Sequence, residues 1–190
     1  PSWHFDAVLG KGALRLGRGS PFHSLGIREV MPSYSLIKTT PPQPQGIECQ
    51  FFVVDPAHAG RRTILVASFS GEYPDGSRGN AHGAYMATMT LYGIHSLDAD
   101  GLILDLRGLA YQWGNTLLKV FQDVSQFKDS EAEPNEPRFP VAVVTSEKCR
   151  AGFLSLVTPT NQAVPEWHFD DINLAIEYSL QKVEEWFAYI

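Results

Sequence analysis

Four short stretches of the chain are rich in β-branched, aromatic and aliphatic residues, which is typical of strands. These stretches are 47–54, 63–70, 101–106 and 140–146. A turn sequence, DPAHAGR, separates the first two, so we predict that they form an antiparallel pair. The last two are apolar without alternation, which predicts strands that are buried on both faces of a sheet.

Between and after these strands, apolar residues recur at intervals of three or four, the spacing of one helix face. The helices predicted in this way span 80–97, 115–128 and the residues from 172 to the end, with a short helix beginning near Cys149. The C-terminal helix has the clearest apolar face, and Asp170 or Asp171 is expected to cap it. Strands that alternate with helices of this length pair in parallel. The sequence therefore predicts an α/β fold with a mainly parallel central sheet and a C-terminal amphipathic helix.

Proline and glycine residues divide the chain into three parts. Residues 38–46, with the sequence KTTPPQPQG, are not compatible with regular structure and predict a linker. Residues 1–37 are rich in glycine and too few for a core of their own, so we expect a small extension of strands and turns packed on the main domain. Residues 47–190 are then expected to form one α/β domain.

Charge and composition exclude several classes of function. The chain has 15 Lys and Arg residues against 21 Asp and Glu residues, and its net charge of −6 argues against nonspecific nucleic-acid binding, which requires a basic surface. No apolar run reaches the about 20 residues of a membrane span and no leader sequence opens the chain, so we expect a cytoplasmic protein. Two cysteines without a C-x-x-C motif are too few for a disulfide scaffold or a zinc site, and we predict neither metal nor cofactor.

Residues 63–157 resemble a known enzyme family. The sequences VASFSG, GLILDLRG and FPVAVVTSEKCRAGFLSL, each near a predicted helix, are similar to the core of the tail-specific (C-terminal processing) serine peptidases. Those peptidases share a superfold of stacked ββα units with crotonase and the Clp protease. The resemblance therefore implies a crotonase/Clp-protease-like domain over residues 47–190.

The catalytic residues of these peptidases are not retained. In the family, a glycine-rich turn contributes bare N–H groups to the oxyanion site, whereas here Gly108 is followed by bulky residues that include Tyr111 and Trp113. The resemblance places the nucleophilic serine at Ala151 and the lysine base near Ser155, and neither residue type can perform that chemistry. The resemblance therefore implies a pseudoenzyme rather than an active peptidase.

The main functional hypothesis from the sequence is a non-catalytic protein-binding module on this degenerate fold, such as an immunity protein that occludes a basic toxin domain. Loop aromatics after a buried strand lie where α/β folds bind ligands, and they are either anchors for a partner or plugs over a vestigial pocket. An acidic loop suits a basic partner. The predicted partner-binding residues are Arg107, Tyr111, Trp113, Glu131, Glu133 and Glu136.

Two alternative functions stay open at this point. A hydrolase or acyl-transfer enzyme would use Cys149, because a helix N-terminus and flanking cations favour a thiolate, or a nearby serine such as Ser146 or Ser155. The other alternative is an acyl-CoA or small-molecule binder without turnover. The tetrapeptide WHFD occurs at 3–6 and at 167–170, but the sequence offers no third-ligand pattern to support a metal site.

Overall fold

The computed structural model describes residues 36–133, 135–158 and 162–189, and the secondary structure lies in the unit Pro41–Ile190. The predicted N-terminal extension, 1–37, therefore lies almost wholly outside the described residues. The strands are β1 (Ile47–Val53), β2 (Ile64–Glu72), β3 (Gly101–Ala110), β4 (Val141–Val144) and β5 (His168–Phe169). The helices are α1 (Pro56–Ala59), α2 (Asn80–Ser96), α3 (Leu118–Lys128), α4 (Arg150–Val157) and α5 (Ile172–Tyr189).

The five strands form one mixed sheet in the order β1-β2-β3-β4-β5. The first two strands pair antiparallel, as the sequence predicts, and each later pair is parallel. The α/β class with a mostly parallel sheet is therefore confirmed. A parallel sheet needs a crossover between neighbouring strands, and the helices between β2 and β5 provide these crossovers.

Helices cover both faces of the sheet. Side chains of β3 alternate between the faces: Leu102 and Leu104 pack with α2 and α3, whereas Ile103 packs with α5. The apolar face predicted for the C-terminal helix forms this second core, and Asp171 caps the helix by accepting the backbone N–H of Asn173 at 2.7 Å.

The stacked ββα units implied by the peptidase resemblance are absent from the described residues. Only the first helix of the parallel sheet, α2, follows two paired strands, and β3, β4 and β5 are each followed by one helix. The described strands also belong to a single sheet. The prediction of a crotonase/Clp-protease-like architecture is therefore wrong, because local similarity of single strands does not determine how strands and helices repeat.

Strand β3 is longer than the sequence predicts, because pairing with β2 continues beyond Asp105. A register shift between Ser68 and Ser70 of β2 lets Gly108, Leu109 and Ala110 pair with the end of that strand. The two strands approach closely here: a Cβ on Gly108 would lie 2.8 Å from the Cβ of Ser70. Among the described residues, no helix is long and apolar enough to span a membrane.

Candidate functional site

The first region that the sequence singles out is the carboxyl edge of the sheet, where β2, β3 and β4 end. Asp105 lies here and is almost buried. It accepts hydrogen bonds from Arg107 Nε at 2.8 Å, from Arg107 Nη2 at 2.9 Å and from Ser68 Oγ at 3.2 Å. Burial alone would raise the pKa of the Asp105 carboxyl, but the hydrogen bonds and charge of Arg107, together with Ser68, hold it below its usual value. Arg107 is therefore committed to an ion pair within the chain.

Hydrogen bonds also join the loops that follow β3 and β4. Ser146 Oγ donates to the Arg107 carbonyl at 2.8 Å, and the Cys149 thiol donates to the Leu106 carbonyl at 3.2 Å. The backbone N–H of Tyr111 donates to the Lys148 carbonyl at 3.3 Å. These contacts join the two loops at the carboxyl edge, and a cavity of about 430 Å³ remains beside them, with Gln112 and Lys148 in its lining.

The two loop aromatics have opposite environments. Tyr111 is only 2% exposed, and its hydroxyl donates to the Gly114 carbonyl. Its ring packs edge-on against Tyr73 at 5.4 Å. Trp113 is 59% exposed and its ring lies over Gly76. Tyr111 is thus a core residue that a docking partner does not reach, and Trp113 remains accessible at this edge.

The chemistry of Cys149 does not match the enzyme hypothesis. The thiol is buried, and burial raises its pKa, an effect only partly offset by the hydrogen bond with Ser146. Among the described residues, its hydrogen-bond partners are the carbonyls of Leu106 and Ser146, with no imidazole. The thiol therefore donates to the backbone, and this geometry gives no support to the alternative of a nucleophile at Cys149.

The two serines of the same hypothesis are also engaged by the backbone. Ser146 donates to Arg107, as described above, and Ser155 donates to the Gly152 carbonyl at 2.7 Å within α4. A nearby imidazole, His168, hydrogen-bonds Thr145 rather than a serine, at 2.8 Å. Burial lowers the pKa of His168. None of the three candidate nucleophiles, Ser146, Cys149 and Ser155, is thus held against a base among the described residues, and the hydroxyl–imidazole pair of Thr145 and His168 is buried.

The predicted acidic residues lie at the other end of the sheet. Glu131, Glu133 and Glu136 belong to the loop that leads into β4, whereas Arg107 and Trp113 follow or end β3. In a parallel sheet, the loop that enters one strand and the loop that leaves its neighbour lie at opposite ends of the strands. The structure therefore does not bring the predicted aromatic and acidic residues together on one surface.

The acidic loop instead borders a cavity of about 660 Å³, which we call the α3–α5 pocket. Its base is apolar, with buried side chains from β3, α3 and the loop before β4. The residues at the base and walls are Leu102, Leu104, Val120, Phe121, Val124, Phe139, Val141 and Trp167. Trp167 packs on Phe121 at 5.9 Å between ring centroids, so an aromatic wall separates the pocket from α4.

The pocket exists because the fifth strand is short. Strand β5 has two residues and pairs only with Val143 and Val144, so the first half of β4 has no strand on its outer side within the described residues. Helix α3 lies on one side of this gap and the second half of α5 on the other. A longer β5 would fill this position and remove the pocket.

Charged side chains surround the opening of the pocket. They include four carboxylates, from Asp129, Glu136, Glu166 and Glu185, and two cations, from Arg138 and Lys182. Two of the carboxylates already accept backbone N–H groups within the chain: Asp129 from Phe139 at 2.8 Å, and Glu136 from Glu133 at 2.9 Å.

Both cations are already engaged within the chain. Arg138 donates to backbone carbonyls of the acidic loop, including that of Ala132 at 3.1 Å. Lys182 Nζ lies 2.9 Å from a carboxylate oxygen of Glu185 and 4.0 Å from one of Glu166. Hydrogen bonds from Lys182 and Gln181 lower the pKa of Glu185. The pocket opening is therefore net acidic.

Glu136 is among the residues predicted from the sequence, but no sequence pattern indicates the pocket itself. Phe121, Phe139 and Trp167 come from three distant segments, and each looks like an ordinary core residue in the sequence. The one feature of the sequence that relates to the pocket is the short apolar run before α5. It forms a strand of only two residues, and this short strand leaves the space for the pocket. Within the described residues, no group of three or more His, Cys, Asp or Glu side chains could hold a metal ion. The first WHFD copy, at 3–6, lies outside the described residues.

Comparisons with known proteins complete this description. No protein-family model and no curated protein matches the chain. The chain is similar to a solved structure of an anti-sigma factor antagonist from Mycobacterium paratuberculosis, at 15% identity over 72% of this chain and 97% of that one, with a TM-score of 0.44. The predicted membership of the tail-specific peptidase and crotonase group, and the hypotheses of a degenerate peptidase or immunity protein that followed from it, find no match in these comparisons and disagree with the arrangement of strands and helices described above, so they are withdrawn.

Proposed function

We propose that this chain is a protein-binding domain that docks a basic, amphipathic segment of a partner protein in the α3–α5 pocket. The observation that carries the proposal is the combination of an apolar base with an opening of four carboxylates and two engaged cations. An apolar side chain of the partner enters the pocket, and lysine or arginine residues beside it meet the carboxylates.

The size and depth of the pocket support an apolar anchor. A cavity of about 660 Å³ lies within the usual range of about 300 to 1,000 Å³ for ligand pockets. The half-buried residues Phe121, Val141 and Trp167 give the pocket accessible apolar surface, so an entering side chain would contact apolar groups on several sides. Burying one large apolar side chain contributes about 1.5 to 3 kcal/mol.

The charge of the opening supports a basic rather than an acidic partner. The carboxylates of Glu166 and Glu185 remain largely accessible beside the single ammonium group of Lys182. A like-charged segment would be repelled, whereas a basic one gains in association rate and orientation. The chain as a whole, at −6, adds to this preference.

A displayed library of random peptides, selected on the purified protein, tests the proposal. We expect enriched peptides to combine a large apolar residue with neighbouring lysines or arginines. Ser125 is exposed on α3 and lines the pocket, so Ser125→Trp should fill the opening and weaken the selected peptides at least tenfold. Gln126→Trp adds the same side chain to the adjacent exposed position, outside the pocket, and serves as the matched control.

A charge-reversing substitution tests the acidic opening of the proposed site separately from its apolar base. Glu166→Lys should weaken the same peptides, most strongly at low salt, because it removes a carboxylate at the opening. Glu147→Lys makes the same change at the carboxyl edge and should leave affinity nearly unchanged. Enrichment of acidic peptides, or equal binding by the Ser125→Trp and Gln126→Trp variants, would overturn the proposal.

A further inference from the structure

The lateral edge of the sheet, at strand β1, is separate from both the carboxyl edge and the α3–α5 pocket. Strand β1 ends the sheet, and within the described residues only β2 pairs with it. Its register with β2 is unbroken over all seven residues, so the strand is regular along its length. The sequence IECQFFV contains neither proline nor lysine, two of the devices that keep exposed edge strands from pairing.

The hydrogen-bond pattern shows which backbone groups of β1 point outward. The backbone N–H of Val54 donates to the Ile64 carbonyl at 3.1 Å, and that of Glu72 donates to the Gly46 carbonyl at 2.8 Å. In an antiparallel ladder the bonded residues alternate, so the even-numbered residues of β1 bond β2. The N–H and C=O groups of Cys49, Phe51 and Val53 therefore point away from the sheet.

Apolar side chains are exposed on both faces of the same edge. Phe52 is 54% exposed on the α5 side, and Val53 is 48% exposed at the end of the strand. On the α2 side, Tyr92 is 59% exposed, with its ring 6.2 Å from that of Phe51. Outward backbone groups flanked by exposed apolar side chains are the surface that an added strand buries.

We propose that this edge pairs with the β1 strand of a second copy of the chain, antiparallel and centred on Gln50. This register aligns all seven residues of both strands, and its end pair, Ile47 with Val53, forms when the Ile47 carbonyl exchanges its 3.4 Å hydrogen bond from Gln43 Nε2 for one from the second copy. It places Cys49 opposite Phe51 of the second copy and joins the outward backbone groups of the two strands. The result is a continuous ten-stranded sheet with a two-fold axis at Gln50.

Charge and symmetry favour a second copy as the occupant. In this register the one charged residue of the strand, Glu48, lies opposite Phe52 of the second copy. The two Glu48 residues are then four positions apart along the sheet, about 13 Å at about 3.3 Å per residue, so they repel little at ordinary salt. The two Gln50 side chains meet at the axis, where their amides can hydrogen-bond each other.

Disulfide trapping tests both the pairing and its register. In a Cys49→Ser background, Gln50→Cys places two thiols at the two-fold axis, within the Cα separation that a disulfide accepts. The dimer should form quickly under mild oxidation. Glu48→Cys, on the same exposed face, places the thiols about 13 Å apart and should form no disulfide-linked dimer. Equal cross-linking at both positions, or cross-linking through residue 48 alone, contradicts the register.

A charge-swap experiment tests the same pairing without cysteines. Gln50→Glu and Gln50→Lys each place like charges at the axis and should raise the dimer dissociation constant, by up to about fivefold. Mixing the two variants places opposite charges there and should restore association. If the wild-type protein sediments as a monomer at high micromolar concentration, the proposal is overturned. The occupant of the β1 edge would then be a strand of another protein. The result does not depend on peptide binding in the α3–α5 pocket.

Discussion

The carboxyl edge of the sheet and the α3–α5 pocket are two regions where this chain could meet a ligand, and they differ in how far the surrounding side chains and loops close them. At the carboxyl edge, Ser146, Cys149 and Tyr111 hydrogen-bond the neighbouring loop backbone, and Tyr111 fills the space between the strands and loops. At the pocket, a short strand leaves an apolar cavity with an acidic opening.

This difference shows that the usual position of a ligand site in an α/β fold is only a starting expectation. Ligands commonly bind at the carboxyl ends of parallel strands because the loops there diverge. Here those loops are joined by hydrogen bonds, and the cavity forms beside β4, where β5 ends the sheet after two residues. The length of an edge strand decided the position of the cavity.

The largest expected effect is the loss of stability on substitution of Tyr111. It tests whether this residue belongs to the core or to the surface. Tyr111→Ala removes a buried aromatic ring and should lower the free energy of unfolding by about 3 to 5 kcal/mol. Trp113→Ala, two residues along and exposed, should cost less than about 1 kcal/mol. Urea unfolding of the two variants measures both values. Equally small losses of unfolding free energy in the two variants would mean that Tyr111 does not close the carboxyl edge.

A second substitution tests how tightly the carboxyl edge is packed. A Cβ on Gly152 would meet the backbone carbonyls of Gln112 and Tyr111, the latter at 2.9 Å. Gly152→Ala should therefore destabilise the fold by about 2 kcal/mol, although alanine favours helices. Ala151→Ser, at the exposed neighbouring position of α4, is the control and should change stability little. A stabilised Gly152→Ala variant would show that the loop can move away.

The ion pair of the carboxyl edge predicts a dependence on pH. The folded-state pKa of Asp105 lies below its usual value, so the stabilisation by this carboxylate is complete above the unfolded pKa of about 3.9. It is lost as the pH falls through the lower, folded pKa. Asp105→Asn should therefore be about 1.5 kcal/mol less stable than wild type at neutral pH, with the gap closing in acid. A gap that stays constant with pH would contradict this assignment.

The smallest effect is expected at the pocket opening. Ser125→Trp changes an exposed residue beside an existing cavity, so its free energy of unfolding should stay within about 0.5 kcal/mol of wild type. Gln126→Trp should behave in the same way. If the two variants unfold at the same temperature, a difference between them in peptide binding is due to the filled pocket and not to a loss of stability. Strong destabilisation by Ser125→Trp alone would indicate that the cavity closes in solution.

Much of the fold could be predicted from local sequence pattern. The apolar runs of β1 to β4 and the spacing of α2, α3 and α5 are properties of neighbouring residues, and the structure places each element within a few residues of its predicted range. The end of β3 could not be predicted in this way. Its last residues depend on a register shift in β2 and on the close approach of Gly108 to Ser70, which are properties of two strands together.

The candidate site was less predictable for the same reason. The sequence identified Glu136 as a residue that could meet a basic partner, but it also grouped Glu136 with Tyr111 and Trp113, at the opposite edge. The resemblance to peptidases relied on single strands and therefore missed the strand order. The pocket depends on contacts among Phe121, Phe139 and Trp167, which are far apart in the chain and meet only after folding.

The most direct test of the binding site is a nuclear magnetic resonance titration with a selected basic peptide. The indole N–H signals of Trp167, in the wall of the pocket, and of Trp113, at the carboxyl edge, report on the two regions in one spectrum. Docking in the α3–α5 pocket predicts that the Trp167 signal shifts with peptide concentration while the Trp113 signal stays in place. A shift at Trp113 with none at Trp167 would place the partner at the carboxyl edge and contradict the account.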